Sequence, residues 1–431
     1  MNSRSSRFLV ALAIVAMIFA AGCSTSTGGS QCALGGYQCE DNKAYTCSSD
    51  SGWNLIQDCS ATLGTTCVID ANTGAAQCVP INSDNLVLRY LYVTNSGDNT
   101  VSVYGVDLLT GKFYYYIHTI NTGLKPKSIT IDPTGRFAYV ANYNSYDVSA
   151  YTINKETGRL TEISGSPFKT SGINPSSIAI DRSSRFLYVL NEISVSDMGE
   201  SPGSVTVYAI DAMTGALSEI SGSPYKTDVF PRSIAIDPAG RFAYVANYGN
   251  KISAYTIDRS TGTLSEMLGS PFWTYNRPNS ITVDPTGRFV YVACDWNFTA
   301  AYAIDALTGA LTEIRGIPYN AGGCPMFVTV DHFGLFAYTA NYSSNDVSAY
   351  TINYKTGELT EFGGDRPKTG IEPRAIAVDP TSRFVYIANE GSNNISAYTV
   401  DFANGALTEI TGVNPSPYTV GAAPSSIALL P

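Results

Sequence analysis

Histidine is nearly missing from this chain: 431 residues hold two, His118 and His332. That scarcity works against chemistry built on an imidazole, whether a proton shuttle, a triad or a histidine-rich metal cluster. Basic runs are missing as well. Lys and Arg number 26 against 36 acids, a formal charge of −10, so nucleic acid and anionic membrane surfaces make poor partners. Beyond the first 22 residues no segment sustains a helical period, which argues against helical solenoids. Cysteine is scarce after residue 78, where only Cys294 and Cys324 remain. No motif calls for a metal or a cofactor.

What is present is a repeat. The block Arg136-Phe137-Ala138-Tyr139-Val140-Ala141-Asn142 has counterparts beginning at Arg89, Arg185, Arg241, Arg288, Leu335 and Arg383. The spacings are 47, 49, 56, 47, 47 and 48 residues, a period that marks propellers and solenoids. The copy from Ser128 to Phe168 shows the grammar. Ser128 to Asp132 alternates as a strand, and Pro133-Thr134-Gly135 reverses the chain because Pro presets φ and Gly accepts a positive one. Phe137 to Asn142 reads as a second strand and Val148 to Ile153 as a third. Thr157-Gly158 turns again, and Leu160 to Ile163 reads as a fourth. Four short antiparallel strands per repeat make a propeller blade.

The ends complete the picture. The first copy opens at Tyr90 with what should be a second strand, whereas Pro424 to Leu430 is an orphan first strand. Joining them in one blade closes the ring and leaves no free sheet edge between the termini. The predicted fold is therefore all-β: a seven-bladed β-propeller over residues 89–431, closed by its N- and C-terminal strands.

Ahead of it, residues 1–22 carry Arg4 and Arg7, an apolar run from Phe8 to Phe19, and then Ala20-Ala21-Gly22-Cys23, the pattern of a secretory signal peptide. The run is too short for a transmembrane helix. Ending on Ala-Gly-Cys, it resembles a bacterial lipobox, which implies lipidation of Cys23, a membrane anchor rather than a span, and a flexible tether over 23–31. Ser24 after that cysteine resembles an outer-membrane or cell-surface address. Losing Arg4 and Arg7 takes the charge to −12. Cys32, Cys39, Cys47, Cys59, Cys67 and Cys78 then fall within 47 residues. In an exported chain this implies a small disulfide module over 32–78, with fifteen connectivities open. Zinc is the alternative, although no histidine and no paired Cys-x-x-Cys supports it. Residues 79–88 read as a linker.

The residues also resemble a known family. Tyr92-Val93-Thr94-Asn95, the Asp-Pro-Thr-Gly-Arg-Phe runs at Asp132 and Asp284, and the Thr-Gly-x-Leu-Thr-Glu runs at Thr157, Thr308 and Thr356 look like the lactonase-type, YVTN-repeat propellers. Their best-known enzymes act on 6-phosphogluconolactone. The resemblance covers roughly residues 86–431 and rests mostly on turns and strand cores. It implies a seven-bladed fold and, as an activity, opening of a lactone.

Binding sites in propellers gather at the central channel on one face, here termed the top, which carries the loops after second strands and the segments leading into first strands. Asp132, Asp181, Asp237, Asp284, Asp331 and Asp379 then belong to bottom-face turns, where carboxylates accept local N–H groups. Glu162, Glu219, Glu266, Glu313, Glu361 and Glu409 belong to a solvated outer rim. The leading segments carry Pro126, Pro175, Pro231, Pro278, Pro325, Pro373 and Pro424. Many relatives carry Pro-Arg-His here, and the resemblance implies a proton-shuttling His. This chain instead has Ser128, Ser177, Ser233, Ser280, Phe327, Ala375 and Ser426. His118 on an outer strand and His332 in a bottom turn do not replace it.

The remaining top-face candidates are Arg232, Arg374, Glu390, Glu192 and Asp295 for catalysis, with Lys127, Trp296, Met326 and Phe327 for ligand binding. A carboxylate could activate water and an arginine could hold an oxyanion; alternatively Arg374 and Glu390 form an ion pair. The repeat breaks at Glu192–Gly203, about eight residues longer than its counterparts, and at Cys294 and Cys324. A disulfide between these two is expected, with a metal site or catalytic thiol as the alternative. Trp273, Tyr275, Trp296, Phe298, Met326 and Phe327 share that sector as a prospective aromatic patch.

Three functions follow as expectations. The first is a surface-anchored lipoprotein whose top face binds a protein or carbohydrate without catalysis. The second is a hydrolase of a sugar lactone or related lactone. The third is a surface-layer structural role.

Overall fold

The computed structural model describes residues 88–431 apart from 195–201, 317 and 412–415, together with the backbone of five short strands between residues 37 and 80. Two compact units emerge, residues 1–85 and 86–431. In the first, Tyr37–Glu40, Lys43–Cys47 and Trp53–Asp58 form a three-stranded antiparallel sheet, and Thr65–Ile69 pairs with Ala76–Pro80 with Cys67 opposite Cys78. The expected disulfides of this module, the signal peptide and Cys23 lie outside the described residues. Among the described residues no helix is long and apolar enough to cross a membrane.

The second unit is all-β, with seven sheets that follow the repeat one to one. Blade 2 is typical: Pro126–Ile131, Phe137–Asn142, Asp147–Ile153 and Leu160–Glu162 pair in antiparallel order. Blades 3 to 7 begin with inner strands at Gly172–Ile180, Pro231–Ile236, Pro278–Val283, Pro325–Val330 and Pro373–Val378. Blade 1 takes its inner strand from the C-terminus, Pro424–Leu429, which pairs with Leu88–Asn95 and so closes the ring as expected.

Burial follows position in the blade. Phe137–Asn142 is buried at every residue instead of alternating, because each sheet is covered on both faces by its neighbours. Outer strands such as Leu160–Glu162 bury only their leucine, so the glutamates form the solvated rim. Each core cluster joins two blades, as where Phe137 and Tyr139 of blade 2 meet Leu187, Val189 and Tyr208 of blade 3. Gly215 allows that contact: its φ is +75, and a Cβ there would sit 2.5 Å from the Phe137 ring.

The bottom turns behave as read. Asp132 accepts the N–H groups of Arg136 and Phe137 at 2.6 Å each and of Thr134 at 3.0 Å, while Gly135 takes a φ of +67. In the long insertion, blade 3 extends its strands to Ser194 and from Pro202; residues 195–201 lie outside the described residues.

Candidate functional site

Six of the seven second strands carry at the top a buried asparagine whose amide nitrogen bonds a third-strand hydroxyl, as Asn142 does with Ser149 at 2.9 Å; blade 5 has Cys294 there. These bonds tie the strand ends together and fix where the following loops begin. The segment leading into each inner strand then drops into the channel mouth, where a cavity of about 430 Å³ opens.

Seven of the nine candidate residues line it: Lys127, Glu192, Arg232, Asp295, Met326, Phe327 and Arg374. Glu390 enters through its partner, since Arg374 Nη1 donates to Glu390 Oε2 at 2.9 Å, the expected ion pair. A second pair crosses blades. Arg232 Nη1 donates to Glu192 Oε1 at 2.9 Å, and Tyr143 donates its hydroxyl to the other Glu192 oxygen at 2.8 Å. Both carboxylates are therefore held by arginines.

Lys127 differs, its amine forming no ion pair or hydrogen bond among the described residues. Burial first, and neighbouring Arg374 second, lower its pKa to about 8, while Glu390 and Glu192 oppose that shift. An amine with that pKa is part neutral near physiological pH and can accept a proton.

Ser128, Ser177, Ser233, Ser280 and Ser426 also line the cavity. Four of them hook the ring together. Ser426 accepts the N–H of Ile129, Ser177 that of Ile234, Ser233 that of Ile281 and Ser280 that of Val328, each at 3.3 Å. Accepting leaves each hydroxyl proton free to be donated to a ligand. None of them has an imidazole at hand, so they are donors rather than nucleophiles.

Two expectations need correction. Cys294 and Cys324 are free thiols. Cys294 packs among blade 4 residues including Tyr244, Ile252 and Ala254. Cys324 precedes the blade 6 inner strand, accepts the Tyr342 N–H at its carbonyl and lines the cavity. Blade 5 thus lies between the two surroundings. Burial pushes the Cys294 thiol up to about 12, and burial with Asp295 pushes Cys324 up to about 11; both stay protonated at neutral pH, which disfavours the catalytic-thiol alternative. Among the described residues no cluster of three His, Cys, Asp or Glu could hold a metal.

The aromatic patch is also smaller than expected. Phe298 and Tyr275 pack against the core, leaving Trp296, 64% exposed, and Trp273, 70% exposed. Trp296 stands outside the cavity lining, and Trp273 stacks beneath Lys251 on an outer strand.

Tyr143 and Tyr248 escaped the sequence reading. Tyr248 lies under both Arg232 and Arg277, at 5.2 and 5.3 Å from guanidinium to ring centre. The signal was there: Asn142-Tyr143, Asn247-Tyr248 and Asn341-Tyr342 repeat the pair at the same blade position.

The model described as "Lactonase, 7-bladed beta-propeller" matches residues 56–172, 165–271, 267–368 and 327–421. A 6-phosphogluconolactonase of Bacillus subtilis is 30% identical over 73 residues, 17% of this chain and 21% of that protein. Another, of Blochmanniella floridana, is 36% identical over 76 residues, 18% and 22% of the two chains. The aligned stretch thus spans about a fifth of either relative. The periplasmic gluconolactonase of Pseudomonas aeruginosa superposes with a TM-score of 0.67 at 21% identity, covering 80% of this chain and 99% of that one. Hydrazine synthase of Kuenenia stuttgartiensis gives 0.52 at 18% identity, covering 72% and 94%. Such likenesses show the fold alone, and one fold carries unlike chemistries.

Proposed function

Because the chain belongs to the family of seven-bladed β-propeller lactonases, we propose that its top-face cavity opens a sugar lactone by hydrolysis. The observation that carries this reading is Lys127, an unpaired, half-buried amine with its pKa lowered to about 8, beside Arg374 in the cavity. It supplies the proton acceptor that the missing histidine would otherwise provide.

In the proposed reaction neutral Lys127 takes a proton from a water that attacks the lactone carbonyl. The oxyanion of the tetrahedral intermediate faces the Arg374 guanidinium, held in place by Glu390. The ring C–O bond then breaks, and the departing alkoxide takes its proton from the Lys127 ammonium, leaving the hydroxy acid. The serine hydroxyls suit a polyol, and about 430 Å³ suits a single sugar ring. Export through residues 1–22 and anchoring at Cys23 belong to the same proposal, with the chemistry at a bacterial surface.

Purified mature protein assayed against a panel of aldonolactones tests the reading. Hydrolysis whose kcat/KM rises with pH through about 8 and disappears in Lys127→Met supports it. Inactivity across the panel with retained glycan binding would favour the non-catalytic carbohydrate-binding function instead.

A further inference from the structure

The second cavity, about 590 Å³, lies on the opposite face, where blade 3 meets blade 4. It is lined by Arg182 and Arg185 from the first turn of blade 3, by Ala239 and Gly240 from that of blade 4, and by Arg259 and Ser260 from the third-strand turn of blade 4.

At each of the other six junctions one cross-blade bond closes this position, and at three of them a second stands beside it. A second-strand tyrosine donates to a turn glycine of the next blade: Tyr139 to Gly215 at 2.9 Å, Tyr244 to Gly309 at 2.8 Å, Tyr291 to Gly357 at 3.0 Å. Beside it, the arginine that opens the strand block reaches a neighbouring carbonyl, as Arg241 does with Ala306 at 2.9 Å and Arg383 with Leu109 at 3.1 Å. Between blades 3 and 4 neither bond is made. Tyr188 is fully buried, lines the cavity, and its hydroxyl has no partner among the described residues. Arg185 rests on the Phe186 ring, 5.2 Å from its centre, without bonding a carbonyl. Ala239, standing where blades 2 and 5 carry Thr134 and Thr286, leaves the wall short of a hydroxyl and a methyl group.

Charge at this cavity is unbalanced. Arg182, Arg185 and Arg259 form no ion pair among the described residues. The one carboxylate in the lining, Asp181, is engaged by its own turn: Oδ1 accepts Arg185 N–H at 2.8 Å and Phe186 N–H at 2.6 Å, and Oδ2 accepts Ser183 N–H at 3.0 Å and the Ser183 hydroxyl. Three arginines line this one concave pocket, and a guanidinium can present paired donors to the paired oxygens of a tetrahedral oxyanion. We propose that this bottom-face cavity is a binding site for a phosphate-type oxyanion, separate from the channel mouth and independent of the chemistry there.

Titration calorimetry of the mature protein with inorganic phosphate, and in a second arm with glycerol phosphate, tests it at low ionic strength. Millimolar or tighter binding that weakens about tenfold or more in Arg182→Ala/Arg259→Ala, as expected when two charge-assisted contacts are lost, supports the site. Equal affinity for both probes assigns free phosphate as a sufficient ligand, and preference for the ester assigns a phosphorylated metabolite. Absence of binding, or binding that survives the double variant and is lost in Arg374→Ala, overturns the proposal, the latter by assigning the anion to the channel mouth. Lactone hydrolysis in the double variant stays at its original rate, so the two sites fail separately.

Discussion

Tyr139 in blade 2 donates its hydroxyl to the carbonyl of Gly215 in blade 3, 76 residues further on, at 2.9 Å and fully buried. Five other blades make the equivalent bond, whereas Tyr188 does not. Tyr139→Phe should therefore destabilise the propeller by about 1 kcal/mol, because it strands a buried carbonyl. Tyr188→Phe should be neutral or stabilising, since it removes a polar group that has no partner. Chemical denaturation of the two variants side by side checks the contrast, and equal losses would contradict it.

Lys127 carries a sign that stability measurements can read. Its folded pKa, about 8, lies below the usual 10.5, so the unfolded chain binds more protons between these values. The penalty for holding the cation is complete below pH 8 and fades as pH rises toward 10.5. Lys127→Met should accordingly raise the melting temperature at pH 7, with a gain on the order of 1–2 kcal/mol, and lose that gain by pH 10.5. A melting-temperature profile against pH for both proteins reads it; a gain that does not shrink with pH would refute the assignment.

The Arg374–Glu390 pair predicts non-additive kinetics. Arg374→Ala should lower kcat more than it raises KM, by roughly 100-fold or more if it holds the oxyanion. Glu390→Gln should cost less, because it acts by positioning Arg374. The double variant should resemble Arg374→Ala alone, and strictly additive losses in the cycle would contradict the coupling.

Both thiols should be found free. Non-reducing peptide mapping should yield Cys294 and Cys324 unlinked, with Cys294 resisting iodoacetamide in the native protein. Cys324 should react slowly at pH 7 and faster as pH climbs toward 11, following its thiolate. Recovery of a Cys294–Cys324 peptide would refute this.

Asp132→Ala should lose roughly 3 kcal/mol of stability by orphaning three backbone donors, yet leave kcat/KM for any lactone substrate unchanged. A selective loss of activity with stability intact would show that the bottom turns serve the site.

Most of the architecture was legible in the chain because a propeller repeats its local rules. Pro133-Thr134-Gly135 announced a reversal, Phe137 to Asn142 a second strand, and Pro424 to Leu430 a partner for Tyr90 to Asn95. The top-face candidates were legible for the same reason, since position in the repeat decides which face a residue occupies. What escaped were relations between repeats. Cys294 and Cys324 share a sector in sequence, but blade 5 lies between their surroundings. The tie of Tyr143 to Glu192 joins blades 2 and 3, and the open junction beside Tyr188 is visible only as a bond that its neighbours make.

By itself the sequence determined the blade count, the ring closure, the absence of the family histidine and the face of each polar residue. These follow from turn chemistry and strand periodicity, which act over a few residues. Only the tertiary structure decided which charges are spent on one another, with Glu192 and Glu390 both held by arginines, and which stand free, Lys127 at the top and Arg182, Arg185 and Arg259 at the bottom. The reason is physical: pairing and desolvation depend on distances across blade interfaces, and the packing of neighbouring sheets sets those distances.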